Sequence, residues 1–160
     1  MTIQIRKAKP EDLPALQDIA RRTIDQCYRS FLGNEGVDWY IGSGECDREI
    51  ERHIGHCVVA TQKDKIAGFS MFFDNILHFI LVDVQHHRKG IGSELISYAE
   101  KSLFTAGHDI IQLETIDGNQ NALDFYLKNG WTIVSKQKDK TYDFMRNILE
   151  KASSRTPVGS

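Results

Sequence analysis

Nine consecutive residues carry the most informative chemical pattern in the chain: Gln85-His86-His87-Arg88-Lys89-Gly90-Ile91-Gly92-Ser93. They lie between a strongly apolar run and an amphipathic one. Gly90 and Gly92 allow a ligand to approach the backbone closely. The first N–H groups of a helix starting here have no partner inside it, and the helix dipole favours an anion at that end. Arg88 and Lys89 add positive charge at the same place. The chemistry is that of a cradle for phosphate or pyrophosphate. The segment is no P-loop, because it lacks the Gly-Lys-Ser/Thr ending. It is no dinucleotide fingerprint either, having two glycines and hairpin strands before them. The alternative is a glycine-rich helix start with solvated basic residues.

Other reactive side chains are more scattered. His78 interrupts the apolar run Ile76 to Val84. Its ordinary pKa of about 6.5 suits a proton relay, and the competing reading is a solvent-facing or satisfied core histidine. Asp83 ends the same run, aimed at a cleft or simply exposed. His53, His56 and Cys57 lie close in sequence but lack a fourth ligand, so packing is the expectation and no metal is expected. Cys27, Cys46 and Cys57 cannot all pair within one chain and lack CxxC spacing, which reads as reduced thiols in a cytosolic protein.

These residues must be positioned by regular elements. Ile3 to Ala8 alternates as a strand. Pro10, Glu11 and Asp12 open a helix whose apolar face (Leu13, Leu16, Ile19, Ala20, Thr23, Ile24, Cys27) runs to about Arg29. Gly33, Gly36, Gly42 and Gly44 mark an irregular stretch, and a short helix follows over Glu45 to His53. Three strands are expected over Cys57 to Thr61, Ile66 to Phe73 and Ile76 to Val84, with turns at Lys63-Asp64 and Asp74-Asn75. Gly90 opens a long helix with Ile91, Leu95, Ile96, Ala99 and Leu103 inward, and Gly107 stops it. Ile110 to Thr115 reads as a strand and Asn119 to Lys128 as a helix ending at Gly130. Trp131 to Ser135 and Tyr142 to Arg146 read as a closing hairpin. The fold class is α/β: one mixed sheet of six to seven strands with helices on both faces. Residues 1–150 form one expected domain, and 151–160 an expected disordered tail.

Two segments resemble a known family. HRKGIGSELISYAEK is similar to the acyl-CoA-binding signature of the GNAT N-acetyltransferase superfamily, usually Gln/Arg-x-x-Gly-x-Gly/Ala, with His87 at the Gln/Arg position. Asn119-Gln-Asn-Ala122-Leu-Asp-Phe125-Tyr126-Leu-Lys-Asn-Gly130-Trp131 resembles the family's Asn-x-x-Ala-x-x-Phe-Tyr-x-Lys-x-Gly-Phe segment. RKAKPEDLPALQDIA is similar to its first strand and helix. The likeness runs over roughly residues 3–148.

The resemblance implies that acetyl-CoA is the cosubstrate. Backbone groups of Ile80, Leu81 and Val82 would meet the pantetheine arm, which lies beside their strand between two splayed parallel neighbours. Amides from Arg88 through Lys89, Gly90, Ile91 and Gly92 to Ser93 would hold the pyrophosphate, with His87 at the remaining signature position. Asn119 would contact pantetheine, or cap its helix. Tyr126 would sit near the sulfur as proton donor to the leaving thiolate, or pack as a core aromatic. The implied reaction is direct acetyl transfer to an amine, whose ordinary pKa of about 10.4 requires loss of a proton first. Glu114 is one candidate base, at the spacing used by relatives that acetylate ribosomal-protein N-termini. His78 is the other, and a water chain is a third route. A backbone N–H near Leu81 or Val82 would stabilise the oxyanion.

Composition fits this picture. The chain has 160 residues, 41% hydrophobic and 26% charged, and a formal net charge of -2. That excludes the strongly basic balance of a dedicated nucleic-acid binder, so no nucleic-acid partner is expected. No apolar run approaches 18 residues, so no membrane partner is expected, and Met1 to Lys9 has no signal-peptide core, leaving a cytoplasmic setting as the expectation. Between Asp25 and Cys57 stand seven acidic residues against Arg29, Arg48 and Arg52. With Tyr28, Phe31, Trp39, Tyr40 and, from the closing hairpin, Tyr142, they would favour a cationic acceptor, or else form a solvated face over core aromatics. The function that the resemblance implies is acetyl-CoA:amine N-acetyltransferase acting on a small molecule or peptide, and the resemblance admits a homodimer without requiring one. The alternative is a non-catalytic acyl-CoA-binding regulatory module.

Overall fold

The computed structural model describes residues 2–86 and 90–154. Strand β1 (Gln4–Lys7) leads through a 3-10 turn at Pro10–Asp12 into α1 (Leu13–Cys27), followed by α2 (Arg29–Leu32), α3 (Asn34–Gly42) and α4 (Glu45–Arg52). Strands β2 (Cys57–Gln62), β3 (Lys65–Phe73) and β4 (Ile76–Val82) come next, then α5 (Ile91–Thr105), β5 (Ile110–Ile116), α6 (Gln120–Lys128), β6 (Thr132–Lys138) and β7 (Met145–Ala152). The seven strands form one sheet in the order β1-β2-β3-β4-β5-β7-β6, parallel between β4 and β5 and antiparallel elsewhere. The expected mixed α/β sheet is thus present.

Each face of the sheet buries its own core. Leu16, Ile19, Val37, Cys46 and Ile50 of the first four helices pack on Val59, Phe69, Met71 and Leu81. On the other face Ile96, Ala99, Leu103 and Tyr126 of α5 and α6 pack on Leu77, Ile111, Leu113 and Leu149. All five expected inward residues of α5 are buried, with Ile91 and Leu95 seated on Ala60 and Ala67. Each such Leu or Ile contributes roughly 1.5–3 kcal/mol. Lys63 and Asp64 both take positive φ, which makes the β2–β3 link a two-residue turn of the type that matches strand twist. Gly107 and Gly130 end α5 and α6 with positive φ, as helix stops.

Three expectations need correction. The stretch around Gly33, Gly36 and Gly42 is helical, because Val37 fills the core and Gly33 alone takes the positive φ that separates α2 from α3. The last strand is Met145–Ala152 rather than Tyr142 to Arg146. Asp139 accounts for the shift: its carboxylate accepts the N–H of Thr141 (2.9 Å) and Tyr142 (2.7 Å) and pairs with Arg146, holding that segment as a loop. Asn147, Ile148 and Leu149 are buried in succession, since both faces of β7 are covered there, and alternation is lost. Third, the expected tail boundary at 150 falls inside β7. Lys151 and Ala152 pair with Ile111 and Ile110, and the Ser153 N–H donates to the Asp109 carbonyl at 2.7 Å. Residues 155–160 lie outside the described residues.

Candidate active site

A single extra residue opens the cleft. In the β3–β4 pairing Met71 lies opposite Phe79 and Phe72 opposite Leu77, so His78 is a β-bulge. The bulge reverses the in-out alternation. Leu77 packs under α5 and α6 while Phe79, two residues on, packs with the α1–α4 core. It also turns the strand. β4 and β5 pair only at Ile76–Gln112 and Leu77–Leu113, and past that point they diverge. The gap between them belongs to a cavity of about 910 Å3, lined by β4 from Ile76 to Leu81, by Glu114 to Ile116, and by Asn119, Ala122 and Tyr126.

The direction of each β4 main-chain group follows from its hydrogen bonds. The Asp83 N–H donates to the Ala67 carbonyl at 2.8 Å, so Asp83 faces β3. The Leu81 carbonyl also faces β3, since a Cβ on Gly68 would lie 2.8 Å from it. Strand alternation then turns the main-chain groups of Ile80 and Val82 towards the gap. Of the three residues expected to offer backbone groups there, Ile80 and Val82 have the right direction. Leu81 does not, and its N–H cannot serve as the expected oxyanion donor.

Beyond β4 the chain reaches α5 through the 3-10 turn Val84–His86. Gly90 caps α5 with φ 81°, a left-handed conformation that other residues adopt at a cost, and its carbonyl accepts the Glu94 N–H at 3.1 Å. The N–H groups of Ile91, Gly92 and Ser93 form the first turn and have no acceptor within the helix. Gly92 lets α5 approach α6: a Cβ there would lie 3.4 Å from the Phe125 ring. His87, Arg88 and Lys89, expected in this cradle, lie outside the described residues. Asp83 is 5% exposed and neither aims into the cleft nor sits on the surface. Its Oδ2 accepts from Arg22 Nη2 at 2.9 Å and its Oδ1 from the Gln85 N–H at 3.3 Å, which ties α1 to the turn leading into the cradle. Arg22 carried no sequence signal, being one of several polar residues on α1.

The four side chains singled out for chemistry all line the one cavity. Tyr126 is 7% exposed, and burial pushes its hydroxyl well above the ordinary phenol value, so it holds its proton. Asn119 caps α6, its Oδ1 accepting the Ala122 N–H at 3.3 Å. Glu114 meets Arg146 Nη1 at 3.4 Å, and Arg146 is also held by Asp139. In the sequence Arg146 reads only as the end of the closing strand, and Asp139 lies in the link before it, so neither stands out there. The His78 ring stacks on Phe73 at 4.2 Å between centroids. Desolvation, and then the neighbouring His53, push its pKa below 6.5, which favours the neutral imidazole. His53 and His56 also pack against Phe73, at 5.6 and 4.4 Å.

The acidic segment is largely neutralised on the surface. Arg29 pairs with Asp25 and Asp38, Arg21 with Asp47, and Arg48 and Arg52 with Glu45. Glu49 differs: it lines the cavity, and its Oε2 accepts a hydrogen bond from the Tyr40 hydroxyl. Gly118, at φ 99°, is packed so closely by Phe31 that a Cβ would lie 2.7 Å from the Phe31 Cβ, and this contact brings the helix after α1 over the open end of β5.

Comparison with known proteins agrees with this geometry. The PaiA N-acetyltransferase of Thermoplasma acidophilum, solved in complex with coenzyme A, superposes with a TM-score of 0.78 at 24% identity, covering 96% of this chain and 100% of its own. A GCN5-related N-acetyltransferase of Rhodopseudomonas palustris gives 0.84 at 18% identity over 96% and 97%. The ribosomal-protein-S18-alanine N-acetyltransferase of Escherichia coli gives 0.71 at 18% over 99% of each chain. At these identities the likeness is one of fold. The family model of the GNAT acetyltransferases matches residues 19–131, a span from the core of α1 through the bulged β4, the α5 cradle and α6 to Trp131, and on that match the chain belongs to the acetyltransferase (GNAT) family.

Proposed function

We propose that the chain moves an acetyl group from acetyl-CoA directly to a primary amine. The observation that carries this reading is the divergence of β4 from β5 after Leu77, beside which the main-chain groups of Ile80 face a cavity that also holds Tyr126. The residues present fit the cosubstrate. An extended pantetheine arm needs a strand edge with outward N–H and C=O groups, which β4 offers along the gap. A pyrophosphate needs inward-pointing amides, which the first turn of α5 offers behind the left-handed Gly90.

Bound there, acetyl-CoA supplies an activated thioester. Ile80 donates its N–H towards the carbonyl oxygen as negative charge grows on it. Glu114 or His78 removes a proton from the acceptor ammonium, directly or through water, so that nitrogen attacks as a free amine. His78, held neutral at its stacked position, is ready to accept. The new bond is the amide C–N and the broken one is the thioester C–S. Tyr126 keeps its proton because it is buried and delivers it to the departing sulfur, and the second proton shed by the nitrogen as the amide forms returns, through water, to the Tyr126 oxygen. Glu114 is half-exposed and has Arg146 as its ion-pair partner at 3.4 Å.

The test is isothermal titration with acetyl-CoA, using NADH and ATP as controls, followed by thiol release with a panel of primary amines. Saturable binding of acetyl-CoA alone and amine-dependent thiol release are expected. Absence of acetyl-CoA binding overturns the reading.

A further inference from the structure

The cavity extends from Tyr126 to a second polar centre that the transfer reaction does not use. At that end Tyr40 of α3 donates its hydroxyl proton to Glu49 Oε2 of α4. Glu49 Oε1 accepts no hydrogen bond among the described residues. Trp39 and Tyr142 stand beside the pair with ring centroids 6.1 Å apart, one from α3 and one from the β6–β7 loop. Trp39 is 53% exposed and Tyr142 40%, which leaves ring surface of both open to a ligand. Tyr142 lies near enough to Glu49 for the carboxylate to help raise its hydroxyl pKa.

The charge around this centre favours a cation. Of the cavity's own cations, Arg146 is held by Glu114 and Asp139, Arg52 by Glu45, and Lys138 by Asp143. Lys140 is exposed on the loop at the rim. Glu49 thus has an acidic side chain and electron-rich ring faces beside it and, among the described residues, no paired cation and no donor to its second oxygen. The loop already receives a cation on a ring face, since the Arg146 guanidinium sits 5.0 Å over Phe144.

We propose that Glu49, with Tyr40 and the Trp39–Tyr142 wall, holds a second cationic nitrogen of the acceptor, so that the acceptor class is a diamine or longer oligoamine. This rests on the acetyltransferase reading and adds a specificity-determining residue to it. Tyr40 fixes one carboxylate oxygen of this cavity-lining side chain, which leaves the other to accept from a ligand. An ammonium there gains a charge-assisted hydrogen bond and a ring face together. An acceptor lacking the second charge leaves Glu49 facing uncompensated space.

The experiment is equilibrium binding of unbranched α,ω-diaminoalkanes of about three to six carbons, each against the monoamine of equal length, to the full chain with and without coenzyme A. At one chain length or more the diamine should bind at least tenfold more tightly than its monoamine. Glu49→Gln should reduce that preference to within about twofold, and Trp39→Ala, at an exposed ring, should weaken diamine binding severalfold without shifting the melting temperature. Equal binding of diamine and monoamine at every length overturns the proposal, as does a preference that survives in Glu49→Gln or the absence of any diamine binding. Coenzyme A binding without diamine preference sinks this proposal alone. Failure to bind coenzyme A or acetyl-CoA sinks the acetyltransferase reading instead.

Discussion

Gly68 is the position where one added carbon should do the most damage for its size. It lies opposite Val82 in the β3–β4 ladder, in a pair whose main-chain groups point away from each other, where side chains approach most closely. A Cβ there would stand 2.8 Å from the Leu81 carbonyl oxygen, 3.2 Å from Val82 Cα and 3.3 Å from Ile91 Cγ2. Two of these are main-chain atoms that no rotamer change can move. Either β4 shifts or the start of α5 lifts, and both form the wall of the cleft. Overpacking in a filled core costs about 1–3 kcal/mol, and the upper half applies when backbone must yield, so Gly68→Ala should lose about 2–3 kcal/mol. For a domain of this length the melting temperature should fall by about 4–10 °C. Gly36→Ala is the internal control. Gly36 sits within α3 with nothing within 4 Å of its missing Cβ, and there alanine should add about 0.5–1 kcal/mol through helix propensity. Urea denaturation at equal m-values measures both. The same substitution should therefore act in opposite directions at the two sites, and acetyl-CoA affinity should fall only for Gly68→Ala. A Gly68→Ala protein within about 0.5 kcal/mol of the parent would refute the close approach of β3, β4 and α5.

Three further expectations concern the site itself. Tyr126→Phe should lower kcat by about 100-fold or more while acetyl-CoA affinity changes by less than about threefold, and equal losses in titration and turnover would remove the proton-donor role. Asp83→Asn, which leaves Arg22 and the Gln85 turn without their shared carboxylate, should cost about 1–3 kcal/mol, and a double-mutant cycle with Arg22→Met should show coupling above about 1 kcal/mol. For His78, whose native pKa lies below 6.5, both states are neutral above that value and no stability is at stake. As pH falls below 6.5 the unfolded chain binds the proton first, so native stability declines until the lowered native pKa is passed. His78→Ala should flatten that part of the acid limb in melts taken from about pH 5 to 8, and an unchanged limb would show that the ring packing on Phe73 does not desolvate it.

The elements that position the site were legible wherever local chemistry decides local structure. Gly90, Gly107 and Gly130 need the positive φ that only glycine adopts cheaply, and they fixed the limits of α5 and α6 from the sequence. The five inward residues of α5 follow one helical stripe, because that helix buries one face. Where burial is set by distant partners, the sequence misleads. Gly33, Gly36 and Gly42 look like breakers, yet Val37 anchors a helix over them. Tyr142 to Arg146 looks more strand-like than Asn147 to Ala152, yet Asp139 binds the first as a loop, and β7 is covered on both faces and shows no alternation. Of the candidate site, the residues on glycine-marked elements were found. Arg22 and Arg146 were not, because each meets a carboxylate far along the chain, and Asp139 was not, because the loop it organises reads as a strand.

His78 shows most clearly what a sequence can signal without explaining. A histidine within Ile-Leu-His-Phe-Ile-Leu-Val is visible as an interruption, and its type suggests proton transfer. What it does to the backbone depends on β3, where Met71 and Phe72 leave no partner for it. One unmatched residue sends Leu77 and Phe79 to opposite cores, bends β4 away from β5 after two paired residues, and turns Ile80 towards the gap. All three follow from one unpaired residue, since a bulge breaks the alternation counted along its own strand and bends that strand. Replacing His78 by alanine removes the imidazole but keeps the extra residue, and so tests the chemistry alone. Deleting it lets Phe79 follow Leu77 directly, and ordinary alternation then keeps Phe79 and Leu81 on the α1–α4 side and Ile80 and Val82 on the α5 side, so the ladder is restored with every face unchanged. The bend of β4 can therefore be removed without disturbing its core pattern, and a variant lacking residue 78 should lose acetyl-CoA binding while staying folded, whereas His78→Ala should retain both; unchanged acetyl-CoA affinity in the deletion variant would refute the role of the bulge in opening the cleft.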